Sequence, residues 1–152
     1  MRDLVIFLLG ILIGIGIGYF GESIIKPYVS TYNFPTTLTL TTNINSTIVP
    51  AGETVTFKAV LETKIPSELQ ALEQQIRQFV LNNKPITLLM KEGTAQTYWS
   101  IVETRNTVYT VNGEVTFSYT FQKVGTFNFK AVFEGDNILS PSESEIITIN
   151  VM

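Results

Sequence analysis

Hydrophobic and polar residues alternate with a period of two along most of the chain after residue 35, and this pattern predicts β-strands. Leu38 and Leu40 alternate with threonines at the start of this region. Residues 54–62 and 115–121 alternate more clearly, and residues 127–133 follow after a glycine. Because each strand then has one apolar and one polar face, we expect sheets that bury one face and expose the other.

Shorter runs complete the predicted strands, at residues 86–90, 98–102, 108–111 and 147–151. Turn residues separate the runs at intervals of about ten residues. The strongest turn signal is Asn112-Gly113, a dipeptide that favours tight hairpins. The sequence therefore predicts a mainly β protein, an antiparallel β-sandwich of about seven or eight strands.

One segment, residues 66–82, has the spacing of a helix instead of a strand. Its apolar positions recur at intervals of three and four: Leu69, Leu72, Ile76, Phe79 and Val80. Ser67 and Gln70 resemble a capping box, and Glu73 with Arg77 forms an i,i+4 charge pair. We expect a helical insertion of about four turns, laid by its apolar face over an end or an open side of the sheets.

The first part of the chain has a different texture, because residues 4–20 form an apolar run without charge. As an α-helix this run would be about 26 Å long, close to the thickness of a bilayer's hydrocarbon core. We interpret residues 1–25 as a single transmembrane helix and residues 26–35 as a stalk. Arg2 favours a cytoplasmic N-terminus under the positive-inside rule, but Lys26 lies beyond the other end of the run. We predict a cytoplasmic N-terminus and an extracytoplasmic domain at residues 36–152, because a threonine-rich β domain is more typical of the outer side. A cleaved signal peptide and a pilin-like packing helix are the alternatives.

Gly10, Gly14 and Gly18 fall four residues apart in this run. That spacing places them on one face of a helix, where small residues let two helices approach closely in lipid. Self-association through this face is one hypothesis. The other is that glycine is simply frequent in membrane helices.

Composition removes several classes of chemistry. The chain has no cysteine and no histidine, so disulfides, thiolate nucleophiles, catalytic triads with histidine and histidine-ligated zinc are excluded. The net charge is −3 and the ten basic residues are scattered, which argues against nucleic acid as a partner. Carboxylates remain, in the pairs Glu134 with Asp136 and Glu143 with Glu145. A calcium site at Gly135-Asp136 competes there with a simple turn, and the turn is sufficient.

The region 36–152 resembles the bacterial-type immunoglobulin-like (Big-type) repeat domains of bacterial and archaeal surface proteins. The most specific stretch is GTFNFKAVFEGDNILSPSES, which has a glycine turn, an alternating strand, Gly-Asp and a Pro-Ser before the last strand. Matching positions are Gly125, Phe133, Gly135, Asp136, Pro141 and Ser142. The resemblance implies an immunoglobulin-like sandwich that presents surfaces to other molecules. The helical segment at 66–82 is an insertion relative to that family.

Three further residues are candidates for contacts or modification. Asn45 begins Asn-Ser-Thr, an N-glycosylation sequon, in the loop after the first predicted strand. Tyr98 and Trp99 are either an exposed aromatic contact or, for Trp99, part of the core of the sandwich.

Together these features predict a membrane-anchored cell-surface protein with a structural or adhesive role. We expect membrane lipid and other protein subunits as partners, with no cofactor and no catalytic activity. Subunits could assemble by strand addition, with residues 28–42 as the donor. The alternative is a membrane-embedded structural subunit of a virion or filament.

Overall fold

The computed structural model describes residues 33–93 and 98–152, and these residues form two β-sheets packed face to face with one helical segment at an end. The fold is mainly β, as the alternation predicts. The predicted transmembrane helix, its glycines Gly10, Gly14 and Gly18, and most of the stalk lie outside the described residues. Within the described ranges, no helix is both long and apolar enough to cross a membrane.

The first sheet has four antiparallel strands in the order β1-β3-β7-β6. The strands are β1 (Thr36–Thr42), β3 (Thr54–Thr63), β6 (Val108–Tyr109) and β7 (Gly113–Thr120). Strand β3 is the centre, because β1 pairs along one edge and β7 along the other. Its inward residues alternate with threonine and lysine, which is why one face of this sheet is buried and the other is wet.

The second sheet follows the order β2-β10-β8-β4-β5, and the short strand β9 also pairs with β8. The strands are β2 (Ile48–Val49), β4 (Pro85–Glu92), β5 (Ser100–Asn106), β8 (Gly125–Phe133), β9 (Ser142–Glu143) and β10 (Ile147–Val151). Ser144 interrupts the strand between β9 and β10. Its hydroxyl accepts a hydrogen bond from the Ala131 N–H at 2.8 Å, so the interruption leaves that buried amide satisfied.

The strand order is that of an immunoglobulin-like sandwich. Reading β1, β3, β7 and β6 as A, B, E and D, and β10, β8, β4 and β5 as G, F, C and C′, reproduces that fold's two sheets. One pair departs from the antiparallel prediction, because β2 runs parallel to β10. The chain crosses from the smaller sheet to the larger one between β1 and β2 without reversing its direction. Strand β2 therefore runs in the same direction as β10.

Phenylalanines dominate the core between the sheets. Phe57 and Phe129 contact each other across the sandwich with ring centroids 4.5 Å apart, and Phe121 lies 5.9 Å from Phe129 in an edge-to-face arrangement. Such aromatic pairs stabilise a core beyond the area they bury. Phe34, which falls in the predicted stalk, is 1% exposed and bridges to Leu139, so the packed part of the domain includes it.

The helical segment lies between β3 and β4, as predicted, but it is not one continuous α-helix. A 3-10 helix covers Ser67–Leu72 and an α-helix, α1, covers Glu73–Leu81. The predicted capping box is absent, because Pro66 is the N-cap and makes no side-chain cap hydrogen bond. The Gln70 amide donates instead to the Ile65 carbonyl at 3.0 Å, and this contact favours the tighter 3-10 turn.

The apolar face of this segment covers one end of the sandwich, with its buried residues being Leu69, Leu72, Ile76, Val80 and Leu81. The predicted Glu73–Arg77 pair is present at 3.0 Å. Arg77 also donates to the Thr63 carbonyl at 2.7 Å, which ties the helix to the end of β3.

The sandwich therefore has two distinct ends. The stalk end is where the chain arrives at Asn33, and it includes the helical segment and the loop 134–141. The far end comprises the loops 43–53 and 121–124, residues 98–99 and Met152. Strand β8 has nine residues, which separates the two ends by about 30 Å at the usual rise per residue.

Candidate functional site at the far end

Five strands of the larger sheet deliver their terminal residues to the far end. The pairs Val151↔Val49, Val151↔Gly125 and Glu92↔Phe127 place the ends of β2, β10, β8 and β4 side by side, and β5 starts beside β4. Since neighbouring strands lie about 4.8 Å apart, the row from β2 to β5 spans about 19 Å.

Exposed apolar side chains are concentrated along this row. Four large hydrophobic residues at the far end are mostly exposed: Ile48, Tyr98, Val124 and Met152. Ile101, the second residue of β5, is exposed nearby. Val108 and Val111 are exposed at the opposite, stalk end. A row of apolar residues on loop ends is the kind of surface through which domains contact other proteins.

Trp99 lies on the outer face of the larger sheet and not in the core, so of its two predicted placements the core placement is wrong. The ammonium groups of Lys91 and Lys130 lie 5.0 and 4.7 Å from the centre of its ring. Both lysines follow buried or core-packed neighbours in their strands, so the alternation directs them outward. The two cation–π contacts hold the indole against the sheet.

Tyr98 precedes Trp99 and is 69% exposed. Strand β5 begins at Ser100, two residues later than predicted, so both aromatics belong to the connection into β5 and not to the strand itself. Tyr98 is thus mostly exposed beside the start of β5, whereas the two lysines hold Trp99 against the sheet.

Asn45 lies in the loop between β1 and β2, also at the far end, and its side chain is exposed. The loop is fixed on both sides of the sequon. Asn43 accepts a hydrogen bond from the Thr56 N–H at 2.9 Å, and the Thr47 carbonyl accepts one from the Asn150 N–H at 2.7 Å. Asn45 itself makes no hydrogen bond with the described residues.

The Gly135-Asp136 turn belongs to the stalk end. Asp136 Oδ1 accepts hydrogen bonds from the Ile138 and Leu139 N–H groups at 2.8 and 2.7 Å, and Oδ2 pairs with Lys84 at 2.7 Å. Burial raises the pKa of Asp136, but the hydrogen bonds from Lys84, Leu139 and Ile138 outweigh it and hold the pKa below its ordinary value. The carboxylate is therefore committed to the turn, as the simple-turn interpretation predicts.

A shallow cleft of about 650 Å³ opens at the side of the sandwich between β5 and β7. Its charged groups are mostly satisfied: Lys58 pairs with Glu114 at 2.7 Å, and Arg105 donates to the Thr116 carbonyl at 2.8 Å. Hydrogen bonds from Lys58 and Thr110 lower the pKa of Glu114. Glu114 is therefore ionised at neutral pH and has no proton to donate as a general acid.

The remaining carboxylate pair does not converge on a site. Glu143 forms an ion pair with Lys130 at 2.7 Å, and Glu145 is exposed in the connection to β10. In residues 33–93 and 98–152, no group of three or more acidic side chains is placed to hold a metal ion.

The fold thus brings Asn45 to the same end of the domain as Tyr98 and Trp99, although more than fifty residues separate it from them in the chain. Sequence reasoning missed Val124 and Met152, because a single apolar residue beside a strand carries no signal of its exposure. It also missed Lys91 and Lys130. Their position on the outer, polar face of each strand was readable from the alternation, but their meeting at Trp99 depends on strand order.

Comparisons with known proteins give a fold and no family, since the chain matches no protein-family description and no curated protein sequence. Among solved structures it is similar to the superoxide reductase (neelaredoxin) from Ignicoccus hospitalis. The two are 14% identical with a TM-score of 0.51, over 76% of this chain and 80% of that one. At this identity the likeness concerns the fold alone.

Two more solved structures have lower scores. A PKD domain of an M14-like peptidase from Thermoplasmatales archaeon SCGC AB-540-F20 is 18% identical with a TM-score of 0.42, over 78% of this chain and 94% of that one. A CARDB domain from Pyrococcus furiosus is 8% identical with a TM-score of 0.42, over 80% of this chain and 97% of that one. The assignment of an immunoglobulin-like sandwich depends on the strand order described above.

Proposed function

We propose that this chain is a membrane-anchored surface protein whose immunoglobulin-like domain binds another protein through its far end. The role is structural or adhesive, and not catalytic. The observation that carries the proposal is the difference between the two ends of the domain. The chain arrives at Asn33 on one end, and Ile48, Tyr98, Val124 and Met152 are exposed on the other.

This difference between the two ends suits a protein held in a membrane by its N-terminal segment. Residues 4–20 have the length and composition of a transmembrane helix, and they precede the stalk end. An anchor there turns the stalk end toward the lipid and the far end toward other molecules. The helical segment at the stalk end has polar residues on its outer side, whereas the far end offers apolar ones.

Partner binding by apolar loop residues also fits the chemistry of the far end. Exposed tyrosine is enriched in protein interfaces, because its ring gives a large contact area for little loss of conformational freedom. Lys91 and Lys130 contact Trp99, whereas Tyr98 is 69% exposed and is the aromatic side chain that we expect a partner to contact.

The experiment uses the full chain in its native membranes. A photo-crosslinking amino acid replaces Tyr98, Val124 or, as a control of at least the same exposure at the stalk end, Val111. In parallel, protease is added to intact cells and to lysed cells. We expect degradation of the domain in intact cells and protein adducts from positions 98 and 124 that exceed those from position 111.

Either arm can refute the proposal. Protection of the domain in intact cells would place it inside and remove the surface role. Adducts formed at position 111 alone would move the contact surface to the stalk end.

A filament or virion subunit is a second candidate, favoured by the open edges of the smaller sheet. Within residues 33–93 and 98–152, no strand pairs with the outer edge of β1, and β6 covers only Gly113 and Glu114 along the outer edge of β7. Residues 116–120 of β7 carry no charge or proline, the usual protections of an edge. Residues 36–42 of the predicted donor are β1, which pairs with β3 of its own chain. Long regular polymers in the native membrane fraction would favour this candidate.

A further inference from the structure

Asn45 differs from its neighbouring asparagine in what its side chain does. Asn43 closes the loop by accepting a hydrogen bond from the Thr56 N–H at 2.9 Å. Asn45 is exposed and makes no hydrogen bond within the described part of the chain, and the same is true of the Thr47 hydroxyl. The chain has ten asparagines, and Asn45 is the only one followed by the pattern x-Ser/Thr.

We infer that Asn45 carries an N-linked glycan. This inference depends on the proposed extracytoplasmic location, because glycan transfer to this sequon takes place on exported chains. A folded domain tolerates a bulky sugar only where the acceptor points into solvent and holds no other group. Asn45 meets both conditions. Asn43 does not, because its side chain accepts the Thr56 N–H, and no sequon begins at that residue.

The transfer needs one co-reactant, an oligosaccharide linked through phosphate to a membrane lipid. The Asn45 Nδ2 atom forms a bond to C1 of the first sugar, and the bond between C1 and the phosphate oxygen breaks. The phosphorylated lipid leaves with that bonding pair, and the amide loses one proton to the transferase. No oxidant or reductant takes part.

A glycan at Asn45 would cover the edge of the larger sheet. Strand β2 is the outermost strand of that sheet, and it begins at Ile48, three residues after the sequon asparagine. Three residues of extended chain reach at most about 11 Å, which is within the radius of a small oligosaccharide. The sugar therefore shields Ile48 and the β2 edge, and it leaves Tyr98, on the opposite side of the row, uncovered.

The first test measures the intact mass of the full chain from its native membranes, in wild type, Asn45→Gln, Thr47→Ala and Thr47→Ser. Thr47→Ser preserves the sequon and is the matched control. We expect wild type and Thr47→Ser to exceed their sequence masses by the same glycan. Asn45→Gln and Thr47→Ala should have their sequence masses. Since neither side chain makes a hydrogen bond in the described structure, both variants should fold.

Protease treatment of intact cells, run on the same samples, separates two kinds of failure. An unmodified wild-type mass in a domain that protease reaches from outside would overturn the glycan and leave the proposed function standing. An unmodified mass in a protected domain would overturn both.

The shielding is tested by labelling, because the chain has no cysteine of its own. Ile48→Cys and, as a control beside β8, Val124→Cys each supply one thiol for a large polyethylene glycol maleimide. We expect labelling at position 48 to be several-fold faster after Asn45→Gln, with no change at position 124. Equal rates at position 48 with and without Asn45 would overturn the shielding.

Discussion

Asp136 offers the sharpest test of how the structure holds its stalk end. Its side chain accepts two hydrogen bonds, from the N–H groups of Ile138 and Leu139, and forms an ion pair with Lys84. Leu139 is fully buried, so its N–H group lies in a buried site and loses its partner when the carboxylate is removed. Replacing Asp136 by alanine therefore removes three polar contacts from the loop 134–141.

The magnitude follows from these contacts. A hydrogen bond to a charged group stabilises by roughly 1.5 kcal/mol at the low end of its range, which suits this partly exposed carboxylate. A partly exposed ion pair adds less than about 1 kcal/mol. We expect Asp136→Ala to lower the free energy of unfolding by about 3 kcal/mol. Asp136→Asn keeps an oxygen acceptor and should cost about half as much, and Lys84→Met should cost under about 1 kcal/mol.

The assay is urea unfolding of the full chain in mild detergent, followed by far-UV circular dichroism and by the fluorescence of Trp99, the single tryptophan. The order Ala, then Asn, then the Lys84 variant is the informative result. If Asp136→Ala and Lys84→Met lowered stability equally, the two backbone hydrogen bonds would contribute nothing and the reasoning would be refuted.

Three other predictions concern the same framework. Because the pKa of Asp136 lies below its unfolded value of about 3.9, its stabilisation is complete well above that pH. It should disappear as the pH falls from about 4 through the folded pKa, and urea midpoints measured against pH should lose this component in Asp136→Asn. Thr107 is buried; it donates to the Leu81 carbonyl at 2.7 Å and accepts from the Lys84 N–H at 2.9 Å. Thr107→Val should cost about 2–4 kcal/mol in urea unfolding, since both groups lose their partner, whereas Thr107→Ser should cost much less. At Gly135, with φ at +84°, an added Cβ would lie 2.9 Å from the Pro141 nitrogen, whereas Gly52, with φ at +92°, has open space around it. Gly135→Ala should therefore lower the thermal midpoint well beyond Gly52→Ala, which carries only the conformational cost of about 1–2 kcal/mol; equal shifts would contradict the close approach at Gly135.

The far end shows how much of a candidate site can be predicted from a sequence. Asn45 was identifiable because a sequon is a local pattern, and Tyr98 with Trp99 because large aromatic side chains often anchor interfaces. Their shared location was not, since it depends on which strands neighbour one another. Val124 and Met152 join them through the pairing of Gly125 with Val151.

The sequence by itself determined the elements whose cause is local. Alternation within one strand produced β1, β3, β7, β8 and β10 near their predicted positions, and the apolar spacing of residues 66–82 produced a helix between β3 and β4. The Gly-Asp turn also follows from local chemistry, because an aspartate oxygen reaches the N–H groups two and three residues ahead of it.

Only the tertiary structure decided the rest. Strands β2 and β9 have two residues each, too few for any periodicity, and they exist because β10 and β8 present open backbone groups beside them. The 3-10 start of the helical segment arises because Pro66 cannot cap it and Ile65 supplies a nearby carbonyl. Trp99 has the large aromatic side chain typical of a core residue, yet two lysines from separate strands hold it on the surface. Each of these outcomes depends on a partner that is distant in the chain, and a local pattern contains no information about that partner.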